Sequence, residues 1–406
     1  MSKNKKELGV LAELFQTFFS KHWPVWVGGV TLGILNIILF AIKSPWGASG
    51  GFNNWGENFY NLFGILGLED VTPTKLSLYG MLAVVVMVGS FIAALLSKEF
   101  ALRIPPKGEL IKGFIGGGLM AIGATVGIGC TIGSFFSGVP ALSGGALVFA
   151  FALFAGVIVA LKYLLWEMEK FPGITSGKSY TFLAVKKDEG NWQKILGWVV
   201  AILVLGLAYV YSVVTGNETM AWFIIIGSLM GLISQRSRFC IVKAFRDPFM
   251  TGESSGSVGV IAGLLVGLIG FTAIKVFGIG VGDIAIRTRE MTWVFPHFWA
   301  RALIGGFIFG VGMTIAGGCA VGTLWRVGEG QVKLWAAALG FLLISPISKK
   351  FIVPPIVDLL PQSMQFKSFL PDYIGYGGAF ALVLIVLLLW YMFVKWNEKT
   401  GKFSAF

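Results

Sequence analysis

Long apolar runs alternate with short, positively charged segments along the whole chain. A run of about twenty apolar residues is long enough to cross the hydrocarbon core of a bilayer as an α-helix. Ten such runs are predicted, near residues 23–42, 77–97, 110–130, 143–165, 194–214, 221–234, 257–278, 300–319, 331–348 and 375–395. Shorter apolar stretches at 58–68 and 352–360 are typical of re-entrant or interfacial pieces. The pattern therefore predicts an all-α polytopic membrane protein with about nine or ten transmembrane helices and short broken helices between them.

Composition and charge agree with this assignment. Apolar residues make up 56% of the 406 residues and charged residues 13%, and the mean hydropathy is +0.80. Too little polar surface remains for a soluble domain of this size. The net charge of +12 comes from Lys and Arg in the segments between apolar runs, which the positive-inside rule explains, so nucleic acid is not an expected partner. With ten crossings the densest basic segments lie on one side, and both termini are predicted to be cytoplasmic.

The chain contains an internal repeat centred on two of its three cysteines. When Cys130 is placed on Cys319, many other residues coincide, and this superposition is called the repeat alignment. It pairs Ile115-Gly116-Gly117 with Ile304-Gly305-Gly306, Gly123 with Gly312, Thr125 with Thr314, Gly129 with Gly318, Gly133 with Gly322, and Ser134 with Thr323. An odd number of predicted crossings separates the copies, so they are expected to run in opposite directions, as inverted-topology repeats do. We therefore expect Cys130 and Cys319 to face one another near the middle of the membrane.

The repeat divides one membrane domain into two halves. A cytoplasmic or interfacial segment is predicted at 1–22, and a cytoplasmic tail at 397–406. The first half, 23–190, contains Cys130. The second half, 191–396, contains Cys240 and Cys319.

Glycine surrounds both repeated cysteines and favours a break in the helix at each. Glycine lowers helix propensity by about 1 kcal/mol relative to alanine, and a helix that starts anew presents unpaired N–H donors that suit an anion. Gly129 and Gly318 immediately precede the two cysteines. The hydroxyl donors that follow are those of Thr131, Ser134 and Thr323. The predicted function of both sites is anion binding.

The third cysteine, Cys240, directly follows a basic stretch that contains Arg236 and Arg238. Three cysteines in apolar surroundings do not form a disulfide framework. Each thiol could be packed as a small hydrophobe, act as a nucleophile, or remain neutral and donate a weak hydrogen bond. Arg326 with Glu329, and Arg246 with Asp247, are either snorkelling or interfacial pairs or parts of a vestibule that attracts the anion and fixes the gate. Arg238 and Arg326 are assigned to the substrate path.

Other chemistries find little support in the sequence. A zinc site needs about four close ligands, whereas this chain has three scattered cysteines and only His22 and His297. Neither a phosphate-binding loop nor a hydrolytic triad stands out. No metal, cofactor or catalytic residue is therefore predicted, and the chain is expected not to be an enzyme.

Three motifs resemble those of the YeeE/YedE family of bacterial inner-membrane proteins. They are Gly129-Cys130-Thr131 with Gly133; Arg238-Phe239-Cys240 with Ala244-Phe245-Arg246-Asp247; and Gly317-Gly318-Cys319 with Gly322, Arg326 and Glu329-Gly330-Gln331-Val332. The resemblance covers residues 77–395. In length and motif order the chain is most similar to the longer YedE-type members.

The resemblance implies a permease for an inorganic sulfur anion in the bacterial inner membrane. Shorter members carry thiosulfate, and the family picture is a relay in which the ion passes between three thiols, here Cys130, Cys240 and Cys319, through S–H hydrogen bonds. Longer members are associated with selenium metabolism, so sulfur and selenium anions both stay open as substrates. The family also suggests a soluble partner, a sulfur carrier of the TusA type.

Two other interpretations stay open. In the first, the chain is a membrane sulfurtransferase or selenium-handling protein that forms a persulfide or selenopersulfide for a TusA-like carrier. Its nucleophile would be Cys240, activated by Arg236 and Arg238. In the second, the cysteines only pack within a scaffold.

Overall fold

The structure is a computed structural model with all side chains. It describes residues 18–19, 21–171, 173, 177–185, 190–278, 299–364, 366 and 368–403. Most of the predicted segment 1–22 and the last three residues of the predicted tail 397–406 lie outside the described residues, as does His297.

The described residues fold almost entirely into helices, and ten helical segments among them are long and apolar enough to cross a membrane. In chain order the helices are α1 (Val25–Ile42), α2 (Ser49–Leu62), α3 (Leu78–Leu96), α4 (Lys107–Val126), α5 (Gly144–Lys170), α6 (Trp192–Tyr209), α7 (Glu218–Ser237), α8 (Ile241–Met250), α9 (Ser255–Phe277), α10 (Ala300–Ala316), α11 (Ala320–Glu329), α12 (Val332–Ile347), α13 (Val353–Leu359) and α14 (Pro371–Thr400). The prediction of an all-α polytopic membrane protein is confirmed.

The short helices differ more from the prediction than the long ones. The predicted piece at 352–360 corresponds to α13, but the predicted piece at 58–68 is displaced, because α2 starts well before it, at Ser49. Helix α2 is amphipathic and buries Gly51, Phe52 and Gly56. Polar residues interrupt the apolar run in the first part of this helix, so the hydropathy pattern indicated only its last part.

Glycines let helices α4 and α10 cross with their backbones in contact. A methyl group added at Gly123 would lie 2.7 Å from the carbonyl oxygen of Gly305, and one added at Gly312 would lie 2.8 Å from that of Gly116. In the repeat alignment Gly123 is equivalent to Gly312, and Gly116 is equivalent to Gly305, so the two contacts are equivalent to each other. Since Gly123 meets Gly305 while Gly116 meets Gly312, the two equivalent helices run antiparallel. Small residues at membrane helix interfaces permit this approach.

Helix α10 also packs against α5, and α4 packs against α12. Two further close pairs are α3 with α7 and α1 with α9. A two-stranded antiparallel sheet joins β1 (Leu102–Ile104) to β2 (Tyr180–Phe182), with Arg103 opposite Thr181. This small sheet follows the end of α3, so it lies outside the helical core.

The two ends of the molecule are called the Arg301 end and the Glu329 end, after one residue at each. At the Arg301 end, α10 begins beside the end of α4, where Arg301 Nε donates to the Val126 carbonyl oxygen at 3.0 Å. The Thr125 and Ser348 hydroxyls meet there at 2.6 Å. At the Glu329 end, α4 begins, α11 ends and α12 begins.

Candidate functional site

Each of the three cysteines is the residue directly before a short helix. Cys130 precedes a π-helical turn, Thr131–Ser137, while Cys240 precedes α8 and Cys319 precedes α11. All three thiols are free and buried. The helix break expected at the two repeated cysteines is present at both, and the third cysteine has one as well.

The chain turns sharply just before each cysteine. Gly129 and Gly317 have φ angles of 142° and 78°, and Arg238 has a φ of 55°. These are conformations that glycine adopts without strain. A left-handed Arg238 is less common for a residue with a side chain, and it ends α7 two residues before Cys240.

The thiols of Cys240 and Cys319 form a pair whose sulfur atoms lie 3.8 Å apart. The Gly322 N–H donates to Cys319 Sγ at 3.4 Å, and a methyl group added at Gly322 would lie 2.7 Å from Cys240 Sγ. The missing side chain at position 322 therefore allows Cys240 to approach. The repeat predicted Cys130 opposite Cys319, but the thiol within hydrogen-bonding distance of Cys319 belongs to Cys240.

Two predicted polar residues surround the chain next to Cys319. A methyl group added at Gly318 would lie 3.5 Å from both Thr323 Oγ1 and Arg326 Nη1. Thr323 Oγ1 is buried and has no hydrogen-bond partner among the described residues. A hydroxyl and a guanidinium, the kinds of donor that bind an oxyanion, thus lie beside the backbone of residue 318. Leu334 Cδ1 packs closer still, at 2.8 Å from the same methyl position.

The surroundings of Cys130 are more open. Thr131 Oγ1 is likewise buried, and no described group bonds to it. Ser134 Oγ points to the Ile128 carbonyl oxygen at 3.4 Å. Gly129 and Gly133 line a cavity of about 410 Å³ on the Arg301 end of the molecule. The first cysteine therefore lies beside this cavity.

A network of charged side chains lies at the Glu329 end, next to Cys240. Arg238 Nη1 donates to both carboxylate oxygens of Glu329 at 2.6 and 2.7 Å, and Arg238 Nη2 donates to Glu99 at 3.2 Å. Arg236, which is fully buried, donates to the same Glu99 oxygen at 3.1 Å. The guanidinium groups expected to activate Cys240 are bonded to carboxylates instead.

Trp325 connects Arg238 to Arg326. The guanidinium carbons of Arg238 and Arg326 lie 5.5 and 4.9 Å from its ring centroid, in cation–π geometry. The ring N–H donates to the Phe239 carbonyl oxygen at 2.9 Å. Arg326 also donates to the Gly317 carbonyl oxygen. The backbone turns before Cys240 and Cys319 are therefore tied together by one buried indole.

Two titratable groups of this network lie outside the membrane-spanning helices. Burial lowers the pKa of His22 below its usual 6.5; Glu99 opposes this effect, and Arg238 and Arg236 add to it. Burial by itself would raise the pKa of Glu99, but Arg236, the Gln235 amide, His22 and Arg238 together hold it below its usual 4.5. The network thus favours an ionised Glu99 beside a neutral His22.

Two residues of these sites were missed from the sequence. Glu99 was not assigned a site role, although it supplies a carboxylate to Arg238. Glu329 was considered only together with Arg326, whereas its carboxylate binds Arg238. Arg301 was not singled out, yet it lines the cavity beside Gly129. The sequence could have indicated a role for Arg301, because the repeat alignment pairs it with another cation, Lys112. Within the described ranges, no group of three His, Cys, Asp or Glu side chains is arranged to hold a metal ion.

The comparisons with known proteins point to one family. The chain is 27% identical over 397 residues to a protein of Salmonella typhimurium named "Probable transporter YedE", an alignment that covers 95% of both chains. It is 31% identical over 174 residues to the "Thiosulfate transporter TsuA" of Escherichia coli, which covers 41% of this chain and 45% of that relative. The protein of the same name from Spirochaeta thermophila is 35% identical over 121 residues, 30% of this chain and 34% of that protein.

The sequence profile of the family described as "Sulphur transport" matches residues 3–159 and 236–405. Both matched segments include cysteines of the candidate site, and together they span most of the membrane helices. The chain therefore belongs to the sulphur transport family of YeeE/YedE membrane proteins.

Proposed function

We propose that this protein is a permease that takes up thiosulfate or a related sulfur or selenium anion. The observation that carries the proposal is the position of three buried free thiols, each at the start of a short helix, with two of their sulfur atoms 3.8 Å apart. Membership of the sulphur transport family and the names of the TsuA relatives support it.

An inverted repeat supplies the frame for this permease. The reciprocal contacts of Gly123 and Gly312, and the antiparallel course of α4 and α10, support two halves related by a two-fold axis. In transporters of this kind the substrate path lies between the halves and is lined by broken helices. The halves are residues 23–190 and 191–396.

The proposed path begins beside Cys130 and ends beside Cys240 and Cys319. An oxyanion that leaves water loses hydration, which costs several kcal/mol unless donors replace it. Thr131 and Thr323 supply buried hydroxyls without other partners among the described residues. Neutral thiols donate weakly and carry no negative charge, so they can pass an anion without repelling it.

At the Glu329 end, Arg326 and Arg238 receive the anion. Arg326 lies beside the backbone of Gly318 and donates to the Gly317 carbonyl oxygen. Arg238 is held by Glu329 and Glu99, so an arriving anion competes with two carboxylates for its guanidinium. This competition lets Arg238 release its substrate, since the carboxylates take the guanidinium back.

The direction of transport follows from the proposed topology. The basic segments that predict cytoplasmic termini include the stretch around Arg236 and Arg238. The Glu329 end then faces the cytoplasm of the inner membrane, and the Arg301 end faces outward. A TusA-like carrier would meet the sulfur species at the Glu329 end.

A sulfurtransferase is the second candidate, and the buried free thiols of Cys240 and Cys319 favour it. The Cys240 thiolate would attack the outer sulfur of thiosulfate, which breaks the S–S bond of the anion, forms a persulfide and releases sulfite. Mass spectrometry after turnover separates the candidates. A gain of about 32 or 80 mass units on Cys240, the mass of sulfur or selenium, would favour the enzyme.

Uptake of radiolabelled anions tests the proposal. Cells that express this chain are offered labelled thiosulfate, sulfate, selenite and selenate in parallel with cells that lack it. We expect accumulation of thiosulfate or of one of the selenium anions. Background accumulation of all four would contradict a permease for this class of anion.

A further inference from the structure

The cavity beside Cys130 contains a guanidinium with no ionic partner among the described residues. Arg301 lines the cavity together with Gly129 and Gly133, the two glycines that flank Cys130. In the described part of the chain no carboxylate lies within ion-pair distance of Arg301. Its Nε and Nη2 donate to the Val126 and Thr125 carbonyl oxygens at 3.0 and 3.4 Å. An arginine has five N–H donors, so three of them have no acceptor among the described residues.

The second cation of the cavity is already neutralised. Lys349 also lines it, but its Nζ lies 2.9 Å from a carboxylate oxygen of Glu57. A neighbouring cavity of about 640 Å³ shares Lys349 and contains further carboxylates, those of Glu69 and Asp70. The positive charge available to an anion is therefore concentrated at Arg301, in the cavity beside Cys130.

The cation at the equivalent position of the other repeat copy has carboxylate partners. The repeat alignment pairs Arg301 with Lys112, which lies near the start of α4, at the Glu329 end. Lys112 lies 2.8 Å from a carboxylate oxygen of Glu167 and 3.4 Å from one of Glu109. One copy thus has a cation held by two carboxylates, and the other has a cation that faces a cavity.

We propose that Arg301 is the first binding group for the substrate, at the Arg301 end of the path, and that it selects divalent oxyanions of sulfur or selenium. A guanidinium binds two oxygens of an oxyanion side by side, with both hydrogen bonds charge-assisted. In a half-enclosed cavity this attraction is screened less than in water. From Arg301 the anion passes to the backbone and thiol of Cys130. This inference deepens the proposed transport function and rests on it.

Direct binding to the purified full-length chain tests the inference. The fluorescence of its tryptophans is titrated with thiosulfate, sulfate, selenite or selenate, for the wild type and for Arg301→Gln, Arg301→Lys and Lys395→Gln. Lys395 pairs with Glu398 on an exposed surface, so it serves as a control for the loss of one positive charge. Thermal unfolding of each variant in detergent shows whether it is folded.

We expect Arg301→Gln to weaken binding of the transported anion by about ten- to hundredfold, because a charge-assisted hydrogen bond is lost. Arg301→Lys should retain an intermediate affinity, and Lys395→Gln should match the wild type. Uptake by Arg301→Gln should show a raised KM and a maximal rate close to that of the wild type.

The outcomes separate this inference from the transport proposal. If the wild type binds and transports an anion with the same affinity as Arg301→Gln, the inference fails and the transport function stands. If the wild type neither binds nor transports any of the four anions, both fail. If a selenium anion is bound in an Arg301-dependent way and thiosulfate is not, the inference holds and the substrate is a selenium anion.

Discussion

The two copies of the cysteine motif differ most at the glycine three residues after each cysteine. A methyl group at Gly322 would lie 2.7 Å from Cys240 Sγ, whereas one at Gly133 would find only the Cα of Gly47, at 3.9 Å, among the described atoms. In the second copy the Cys240 thiol occupies the space beside Gly322, whereas in the first copy Gly133 lines a cavity. Equivalent sequences have thus produced one closed site and one open site.

The same contrast extends to the charges around each copy. Glu329, which binds Arg238 at the closed site, aligns with Pro140 in the first copy. Arg301 at the open site has no carboxylate partner among the described residues, while its equivalent, Lys112, has two. In the permease that we propose, the open site captures the anion from solution and the closed site releases it.

The largest expected effect comes from removing a thiol of either copy. Cys130→Ala and Cys319→Ala should each reduce uptake of the labelled substrate to background, because the ion loses a donor in the middle of its path. Both variants should remain folded, since each change removes only one sulfur atom from the core. Uptake at the wild-type rate in either variant would contradict the relay.

Removing a carboxylate should destabilise the closed site. Glu329→Gln leaves Arg238 with Glu99 as its ionic partner, and we expect a loss of about 3 kcal/mol in the free energy of unfolding. The matched control is Glu398→Gln, which breaks an exposed pair with Lys395 and should cost about 1 kcal/mol or less. The midpoints of thermal unfolding in detergent measure both. Equal midpoints for the two variants would show that the network is not structural.

An added methyl group tests the contrast between the two glycines directly. Gly322→Ala must displace Cys240 Sγ, and overpacking of this kind costs about 1–3 kcal/mol. Gly133→Ala meets only an ordinary contact and should unfold at nearly the wild-type temperature. If both variants unfold at the same temperature, the copies do not differ in packing as described.

The smallest expected effect is a pH dependence at the Glu329 end. Because the folded chain lowers the pKa of His22 and of Glu99, stability is fully present above their usual values of 6.5 and 4.5. It is lost as the pH falls through the lower values of the folded state. Acidification from about pH 7 to about pH 5 should therefore lower the unfolding midpoint, by about one degree for the half-exposed His22. His22→Ala should reduce this decrease, and an unchanged decrease would exclude His22 as its source.

The long helices could be predicted because bilayer thickness fixes the length of an apolar run. The predicted run at 257–278, for example, agrees closely with α9. Helix α2 was misplaced, because its polar residues interrupt the apolar pattern on which the prediction rested. The glycine pattern correctly indicated breaks at Cys130 and Cys319, since backbone propensity is a local property.

The partners of the site could not be predicted in the same way. Cys240 and Cys319 lie far apart in the sequence, and their contact depends on how α8 and α11 are placed by the rest of the fold. The carboxylates that bind Arg238 come from two distant segments, so the basic stretch before Cys240 looked unpaired in the sequence. Repeat symmetry indicated equivalent positions, but it could not show that side chains such as Pro140 and Glu329 make the two sites different.

Transport of thiosulfate that carries a separate label on each sulfur atom distinguishes passage of the intact anion from transfer of one sulfur atom to a cysteine. The purified chain is placed in liposomes, and the ratio of the two labels is measured inside the vesicles. We predict that both labels enter in equal amounts, because in the proposed relay the intact anion passes between neutral thiols. Entry or protein attachment of the outer sulfur label alone would contradict this prediction. If thiosulfate, selenite and selenate all enter no faster than they enter protein-free liposomes, the permease itself is contradicted.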